Sequence, residues 1–367
     1  MRVAYVCADP GIPYGGTKGA SVHMGEITRA LAAEGAEVLV LAAVLAQSAG
    51  SSLGVTAELL PHLGRGVGAQ QRVGVQGDVE RHLVARLTDW GADVVYERFA
   101  LHAVAGSRAA SELGLPHLVE LNAPLLWEAE TFRRLDAAPA ATAMEREVLS
   151  RAAAVLPVTR PLERHARERG ARRTTIVPNA ATVRDAPDAA TRAPRAVFAG
   201  TLRPWHGVEA IVGAWQRMGD AAPELLIVGD GPGRDRIEEV GGRVLGMVPP
   251  GEVAGLLSGS LVGLAPFSAD APEYFSPIKL FEYMAAGLAV VAGRLPGVLD
   301  VVEPGTAVLI PPGDADALAA AVSALAAEPE RAATMGRAAR RLVEDAHTWR
   351  HRATCVLEVA RATVPAP

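Results

Sequence analysis

Short apolar runs of strand length alternate along the chain with longer segments rich in Ala, Leu, Arg and Glu, and this rhythm restricts the fold more than any other feature. In the first half the runs are Val3–Cys7, Glu37–Ala42, Asp93–Tyr96, His117–Glu120 and Ala154–Val158, with a further one at Thr174–Val177. The rhythm resumes with Ala196–Ala199, Glu224–Val228, Val244–Met247, Val262–Ala265, Ala289–Ala292 and Ala307–Ile310. Such runs read as strands buried on both faces, as in parallel sheets. Between them Ser21–Glu34, Val208–Met218 and Ala315–Ala327 carry helical spacing and open at a capping residue or a glycine loop. Strand–helix–strand alternation implies right-handed crossovers on a parallel sheet covered by helices on both faces. The predicted class is α/β, with two Rossmann-like, doubly wound domains.

Length supports the count of two. The chain has 367 residues, and single cores tend to split above roughly 250–300. The join is expected near residue 185, in the Ala-, Asp-, Pro- and Arg-rich stretch Ala180–Arg195, which has linker composition. That gives a first domain over residues 1–185, a second over 186–345, and a terminal helix in 346–367 that packs back on one of them, the first being the candidate. A net charge of -5 at pH 7 lacks the basic excess that docking on nucleic acid or an anionic membrane normally shows. No nucleic-acid partner is expected. The run of Arg164, Arg167, Arg169, Arg172 and Arg173 reads as solvated surface, with peripheral membrane contact a less favoured alternative. Two cysteines, Cys7 and Cys355, can build neither a disulfide framework nor a thiolate metal site. Met1-Arg2 leads straight into VAYVCA, too short for a signal segment, and no apolar run reaches the roughly 18 residues of a membrane span. A cytoplasmic protein is expected, of a size of assembly that the sequence leaves open.

Several loops have the makings of a site. The first strand runs into ADPGIPYGGTKGASVH, where Gly11, Gly15, Gly16 and Gly19 precede a helix expected to start near Ser21. Glycines there let backbone N–H groups approach an anion at a positive helix end, although the spacing is not G-x-G-x-x-G. The loop either closes on a diphosphate or an acceptor, or is a turn with no ligand. The segment APEYFSPIKLFEYMAAGLAVVAG, residues 271–293, is the most informative. Ser276 is expected as N-cap and Pro277 at the first helical position, which leaves the N–H groups of Ile278 and Lys279 free for a phosphate. Glu282 follows on the same helix, either as a carboxylate for two vicinal ribose hydroxyls or as an exposed helix acid. In FAGTLRPWHGVEAI, residues 198–211, Arg203 and His206 lie in a strand-to-helix loop. A guanidinium there suits a diphosphate and the charge building on a departing nucleotide. GMVPPGEV, residues 246–253, holds Gly246 and Val248 in a turn whose backbone can bond a base edge. Asp314-Ala-Asp316 reads as a helix N-cap, not a metal site.

Taken in order, these segments resemble the retaining glycosyltransferases of family 4, over nearly the whole chain. The stretches that carry the resemblance are Gly15-Gly16-Thr17-Lys18-Gly19, DVVYERFALHA (93–103), VELNAPLLWE (119–128), IVPNA (176–180), FAGTLRPWHG (198–207), LLIVGDGP (225–232) and SPIKLFEYMAAG (276–287). The resemblance implies the GT-B fold, two Rossmann-like domains facing across a cleft. The N-terminal domain would take the acceptor and the C-terminal domain the nucleotide sugar, along Tyr274, Phe275, Ser276, Pro277, Ile278 and Leu280. The family has two glutamates eight positions apart. Glu282 matches the second, on the ribose, while Tyr274 stands at the first and Glu273 lies one place off, so either contacts the transferred sugar. Thr201 and His206 hold the positions of an Arg and a Lys that many members place on the diphosphate, which leaves Arg203 and Lys279 to supply the positive charge. Asn122 stands where a histidine is often found and can donate to and accept from a sugar hydroxyl.

Lys18, His23, Glu97, Arg98 and Glu128 are acceptor-side candidates. His23 reads equally as a structural residue, and Glu97 with Arg98 as an internal ion pair. The resemblance also implies retention without a protein nucleophile. The acceptor hydroxyl attacks from the face the nucleotide leaves, and a diphosphate oxygen takes its proton. Neither cofactor nor metal is expected, with a nucleotide-diphosphate sugar as co-substrate and uridine the first choice of base. The alternatives are a nucleotide-sugar 2-epimerase and a catalytically silent nucleotide-sugar binder.

Overall fold

A computed structural model describes residues 1–46, 55–132, 135–185 and 192–363. It divides into two units, one formed by Met1–Pro178 with Trp349–Pro367 and the other by Asn179–Thr348. The unit changes fall after Pro178 and after Thr348, against joins expected at 185 and 345. Part of the linker-like stretch, 186–191, lies outside the described residues.

The first unit holds β1 (Arg2–Cys7), β2 (Glu37–Ala42), β3 (Thr56–Leu59), β4 (Val94–Arg98), β5 (His117–Leu121) and β6 (Ala154–Pro157). They form one parallel sheet in the order β3-β2-β1-β4-β5-β6. Strands β4, β5 and β6 are buried at every position, which is why their sequences run apolar without alternation. β3 was not expected: it is a four-residue edge strand with no buried position, so it carries no apolar signature. Conversely, Thr174–Val177 is not a strand: it makes an isolated bridge, Thr174 to Val155, and one further bond from Val177 N to the Pro157 carbonyl at 2.9 Å. Pro157 and Pro178 bound that pairing, and neither has the N–H that would extend the ladder.

The helix Gly19–Ala33 buries Met24, Ile27, Thr28 and Leu31, spaced to share one face. The last helix, Trp349–Arg361, packs along it, with the Trp349 ring edge-on to His23 at 4.9 Å and Arg350 bonded to Glu34 at 2.8 Å.

The second unit repeats the plan with β7 (Ala193–Ala199), β8 (Glu224–Val228), β9 (Arg243–Val244), β10 (Ser260–Ala265), β11 (Ala289–Gly293) and β12 (Ala307–Ile310). Their order is β12-β11-β10-β7-β8-β9, again parallel throughout. Side chains alternate across this sheet: Ala196 and Phe198 pack with Ile211, Trp215, Leu318 and Val322 on one face, Val197 and Ala199 with Leu280, Phe281, Met284 and Val343 on the other. β9 is shorter than the expected Val244–Met247 because Gly246 turns the chain at φ 75°. Asp314 caps the Ala315–Ala327 helix as expected, its carboxylate accepting from Ala317 N at 2.9 Å. In both sheets the strand order reverses beside the first strand, between β1 and β4 and between β7 and β10, and such switch points open a crevice at the carboxyl ends. No helix of the described residues is long and apolar enough to cross a membrane.

Candidate active site

At the switch point of the second unit, β7 ends at Ala199 and passes into Gly200-Thr201-Leu202-Arg203, a turn at Pro204–His206, and Gly207. β10 ends at Ala265 and passes into Pro266-Phe267. The two loops interlock. Gly207 sits at φ 82°, and a Cβ there would lie 2.7–2.9 Å from the Phe267 backbone, so only glycine allows this approach. Phe267 itself holds φ 54°, a conformation costly for an aromatic residue. Ser268 N donates to the Trp205 carbonyl at 3.2 Å, fastening the loops a second time.

Against this floor lies the helix Ile278–Ala285. Its N-cap is Pro277, and no side chain caps it. The expectation that Ser276 would do so is corrected: the Ser276 hydroxyl accepts from Asn179 N at 3.3 Å, and its carbonyl accepts from Asn179 Nδ2 at 2.6 Å. Pro277 N-caps at ψ 112°, so the helix starts one residue later than read, and the Ser276 side chain is turned to a neighbouring segment. Its first turn therefore presents the positive end of the peptide dipoles with no capping oxygen.

Lys279 lies in that turn. Its chain is half-buried, yet Nζ is shielded from solvent and has no hydrogen-bond partner among the described residues. It stands 3.7 Å from the centroid of the Phe198 ring and 3.1 Å from where a Gly200 Cβ would be. A ring face stabilises an ammonium by about 0.5–2 kcal/mol, whereas desolvating one costs several. Burial accordingly pulls Lys279 down to about 7, against the opposing charge of Glu282 one turn along. His206 is also half-buried, its Nδ1 at 2.6 Å from the Thr201 carbonyl. Burial, then the charge of Lys279, hold this imidazole at about 3, so it is neutral at physiological pH. Arg203 is exposed, with its guanidinium 5.7 Å from the Trp205 ring centroid.

The structure thus brings Thr201, Arg203, His206, Lys279 and the uncapped helix start to one switch point. Glu282 is half-buried on the same helix, and Leu280 is buried in the core beneath it. Tyr274 is buried and stacks edge-on with Phe275 at 5.2 Å, while Glu273 is exposed. Phe275 in turn lies 6.4 Å from the His206 ring. Gly246 bridges to Gly229 at the end of β8, and the half-buried Val248 packs against the cluster beneath. Among the described residues no group of three or more His, Cys, Asp or Glu is placed to hold a metal ion.

The first unit gathers a different set. Arg98, His23 and Asn122, read separately from the sequence, converge on Glu120, which was not foreseen as a site residue. Its Oε1 accepts from Arg98 Nη1 at 2.6 Å and from Asn122 Nδ2, and its Oε2 accepts from Tyr96 OH at 2.8 Å and lies 2.9 Å from His23 Nε2. Burial would push this carboxyl up, but His23 foremost, then Arg98 and Tyr96, hold it at about 2. A carboxylate inside HLVEL was the available signal, since a buried charge needs partners.

Glu97 points away from that set, pairing at 2.7 Å with the buried His117, while Gly106 leaves room for its carboxylate. Its partner is thus an internal histidine, while Arg98 is in an internal ion pair with Glu120 and not with Glu97. Lys18 is exposed and N-caps the first helix, which begins at Gly19 and not near Ser21. Gly16 tucks its loop against that helix, where a Cβ would fall 2.8 Å from Ser21 Oγ. Glu128 is half-buried in the first turn of the Leu125–Phe132 helix.

Residues 193–328 match the family model described as glycosyl transferases group 1, and residues 18–180 match that of a glycosyl transferase 4-like domain. No curated protein sequence matches the chain. Solved structures are similar over nearly its full length. Sucrose-phosphate synthase from Thermosynechococcus elongatus superposes with a TM-score of 0.77 at 19% identity, covering 99% of this chain and 98% of that one. HepE from Anabaena, in complex with UDP-glucose, gives 0.75 at 16%, covering 99% and 100%. A glycosyltransferase from Rickettsia africae gives 0.73 at 14%, covering 100% and 99%. These likenesses establish the two-domain GT-B architecture.

Proposed function

Because the chain belongs to the group 1 glycosyltransferases, we propose that it moves a sugar, with retention of anomeric configuration, from a nucleotide-diphosphate sugar to an acceptor hydroxyl. The Asn179–Thr348 unit takes the donor. The observation that carries this reading is Lys279: a shielded amine with no hydrogen-bond partner among the described residues, beside an uncapped helix start, suits an anion. Two structures of HepE, in complex with UDP and with UDP-glucose, favour a UDP-sugar as that donor.

In this reading Lys279, Arg203 and the N–H groups of Ile278 and Lys279 receive the diphosphate, and Glu282 accepts from the ribose hydroxyls. Gly246 and Val248 offer backbone groups to the base. Glu273 or Tyr274 contacts the transferred sugar. These fixed donors stabilise the charge that grows on the leaving diphosphate, the role in which preorganised groups contribute most. The acceptor hydroxyl forms the new glycosidic bond as the sugar–phosphate bond breaks, and its proton leaves on the diphosphate. No metal or further cofactor takes part. Asn122, Lys18 and Glu128 form the acceptor side, with His23 and Arg98 behind them on Glu120. The free thiols of Cys7 and Cys355 suit a reducing compartment, the cytoplasm.

A thermal-shift screen with UDP, GDP, dTDP and ADP tests the donor reading. A ligand at a hundred times its Kd stabilises the folded protein by about 2.7 kcal/mol, and UDP is expected to give the largest shift. A flat response to all four overturns the assignment.

A further inference from the structure

We propose that the donor site takes up a proton together with its anion: Lys279 carries a neutral amine in the free enzyme and an ammonium once a diphosphate is bound beside it. This rests on the nucleotide reading above and adds a property to it. The geometry supports it from every side. Nζ is shielded from solvent and bonded to nothing among the described residues. From β7 it meets the Phe198 ring at 3.7 Å and the bare edge of Gly200. From the loop after β7 it faces His206, neutral and committed through Nδ1 to the Thr201 carbonyl at 2.6 Å. Arg203, on the same loop, is exposed over Trp205 and brings only positive charge.

On the lysine's own helix the hydroxyl of Tyr283 accepts from Ala199 N at 2.6 Å, and burial pushes its ionisation far up. Among the described residues Glu282 is the carboxylate that acts on the amine, through its charge and without a hydrogen bond to it. An ammonium buried in these surroundings has no directly bonded counter-charge among the described residues, and its burial outweighs the more distant Glu282, so the amine gives its proton to solvent, in keeping with its value of about 7. A diphosphate supplies the missing counter-charge. The amine then takes a proton from the buffer acid, which is left as its conjugate base, and the ammonium donates to a phosphate oxygen. The site thereby prefers fully ionised diphosphates and binds them less well as pH rises.

The test is isothermal titration of the protein with UDP, in HEPPS and in Tris, buffers that do not compete for a phosphate site and whose ionisation heats differ. At about pH 8.5 the terminal phosphate, which titrates near 6, is fully ionised and cannot be the group that takes up the proton. The wild-type protein is expected to take up close to one proton per UDP there and about half a proton near pH 7, with affinity falling about tenfold per pH unit above that. Lys279→Arg keeps a permanent charge and is expected to bind UDP with equal heats in both buffers and no pH slope. Lys279→Met, a second variant should the arginine not be accommodated, is expected to bind more weakly and also without uptake. His206→Asn is expected to retain the uptake. Wild-type binding with the same heat in both buffers overturns the proton linkage and leaves the nucleotide site standing. Uptake that persists in Lys279→Arg, or vanishes in His206→Asn, assigns the proton elsewhere and overturns it too. If neither UDP, GDP nor ADP binds, both readings fall.

Discussion

Arg203 and Glu120 are both charged and both at the carboxyl end of a parallel sheet, yet their surroundings give them opposite kinds of consequence. Arg203 is exposed, with its guanidinium over the Trp205 ring, so its removal leaves the fold alone. Arg203→Ala is expected to shift the melting temperature by less than about 2 °C and to lower the transfer rate by about 10²–10³; a variant with wild-type turnover would remove this residue from the mechanism. Glu120 is buried under three donors, with His23 beside them. Glu120→Ala leaves Arg98 buried without its counter-charge and is expected to cost about 3–5 kcal/mol, read by urea unfolding. The folded carboxyl sits at about 2, below its unfolded value of about 4.3. Its stabilising effect is therefore complete above that unfolded value and is lost as pH falls through about 2. Acid titration of the wild type and of Glu120→Gln checks this, because the variant lacks that part of the acid limb. His23, Arg98 and Asn122 were legible as polar residues at strand ends and loop starts. Their common partner was not, since the pairing crosses from β4 to β5 and from a helix to a strand, and local periodicity does not report which neighbours meet.

Glycine decides the geometry of the element that carries His206. Gly207→Ala would need a left-handed alanine and would push its methyl group into the Phe267 backbone at 2.7 Å. A loss of about 1–3 kcal/mol is expected, together with weaker UDP binding, and calorimetry with and without UDP measures both. Among the elements, the buried strands were readable because burial on both faces leaves an unbroken apolar run, as in β5 and β10. β3 was missed for the converse reason. The helix Ile278–Ala285 was placed correctly, but its first residue was not. Ser276 and Pro277 satisfy the preferences of a cap and a first helical position, and that preference was overridden by Asn179, which occupies the serine from 97 positions away. A tertiary hydrogen bond outweighed a local one, and only coordinates report that.

At the scale of the molecule, the last helix completes the first unit. Trp349 lies against His23 and is almost wholly buried, at 5% exposure, so Trp349→Ala is expected to destabilise by about 3–5 kcal/mol. Hydrogen exchange should locate the effect, with faster exchange in Gly19–Ala33 and unchanged protection in β7 and β10; uniform acceleration throughout would contradict the assignment of this helix to one unit. Two domains were legible from length and rhythm, and the return of a terminal helix to the first of them was the candidate placement, whereas its contact with Gly19–Ala33 was not legible, because a helix sequence states its apolar face without naming its partner. That return has a consequence for biosynthesis. A ribosome emits the Met1–Pro178 portion before Asn179–Thr348, and Trp349 only after both. The later-made unit therefore has all of its own chain available while the earlier one still waits with the flank of its first helix uncovered. A growing polypeptide of this kind needs that flank sheltered throughout the synthesis of the second unit, and a chain cut short just before Trp349 would leave it bare for good.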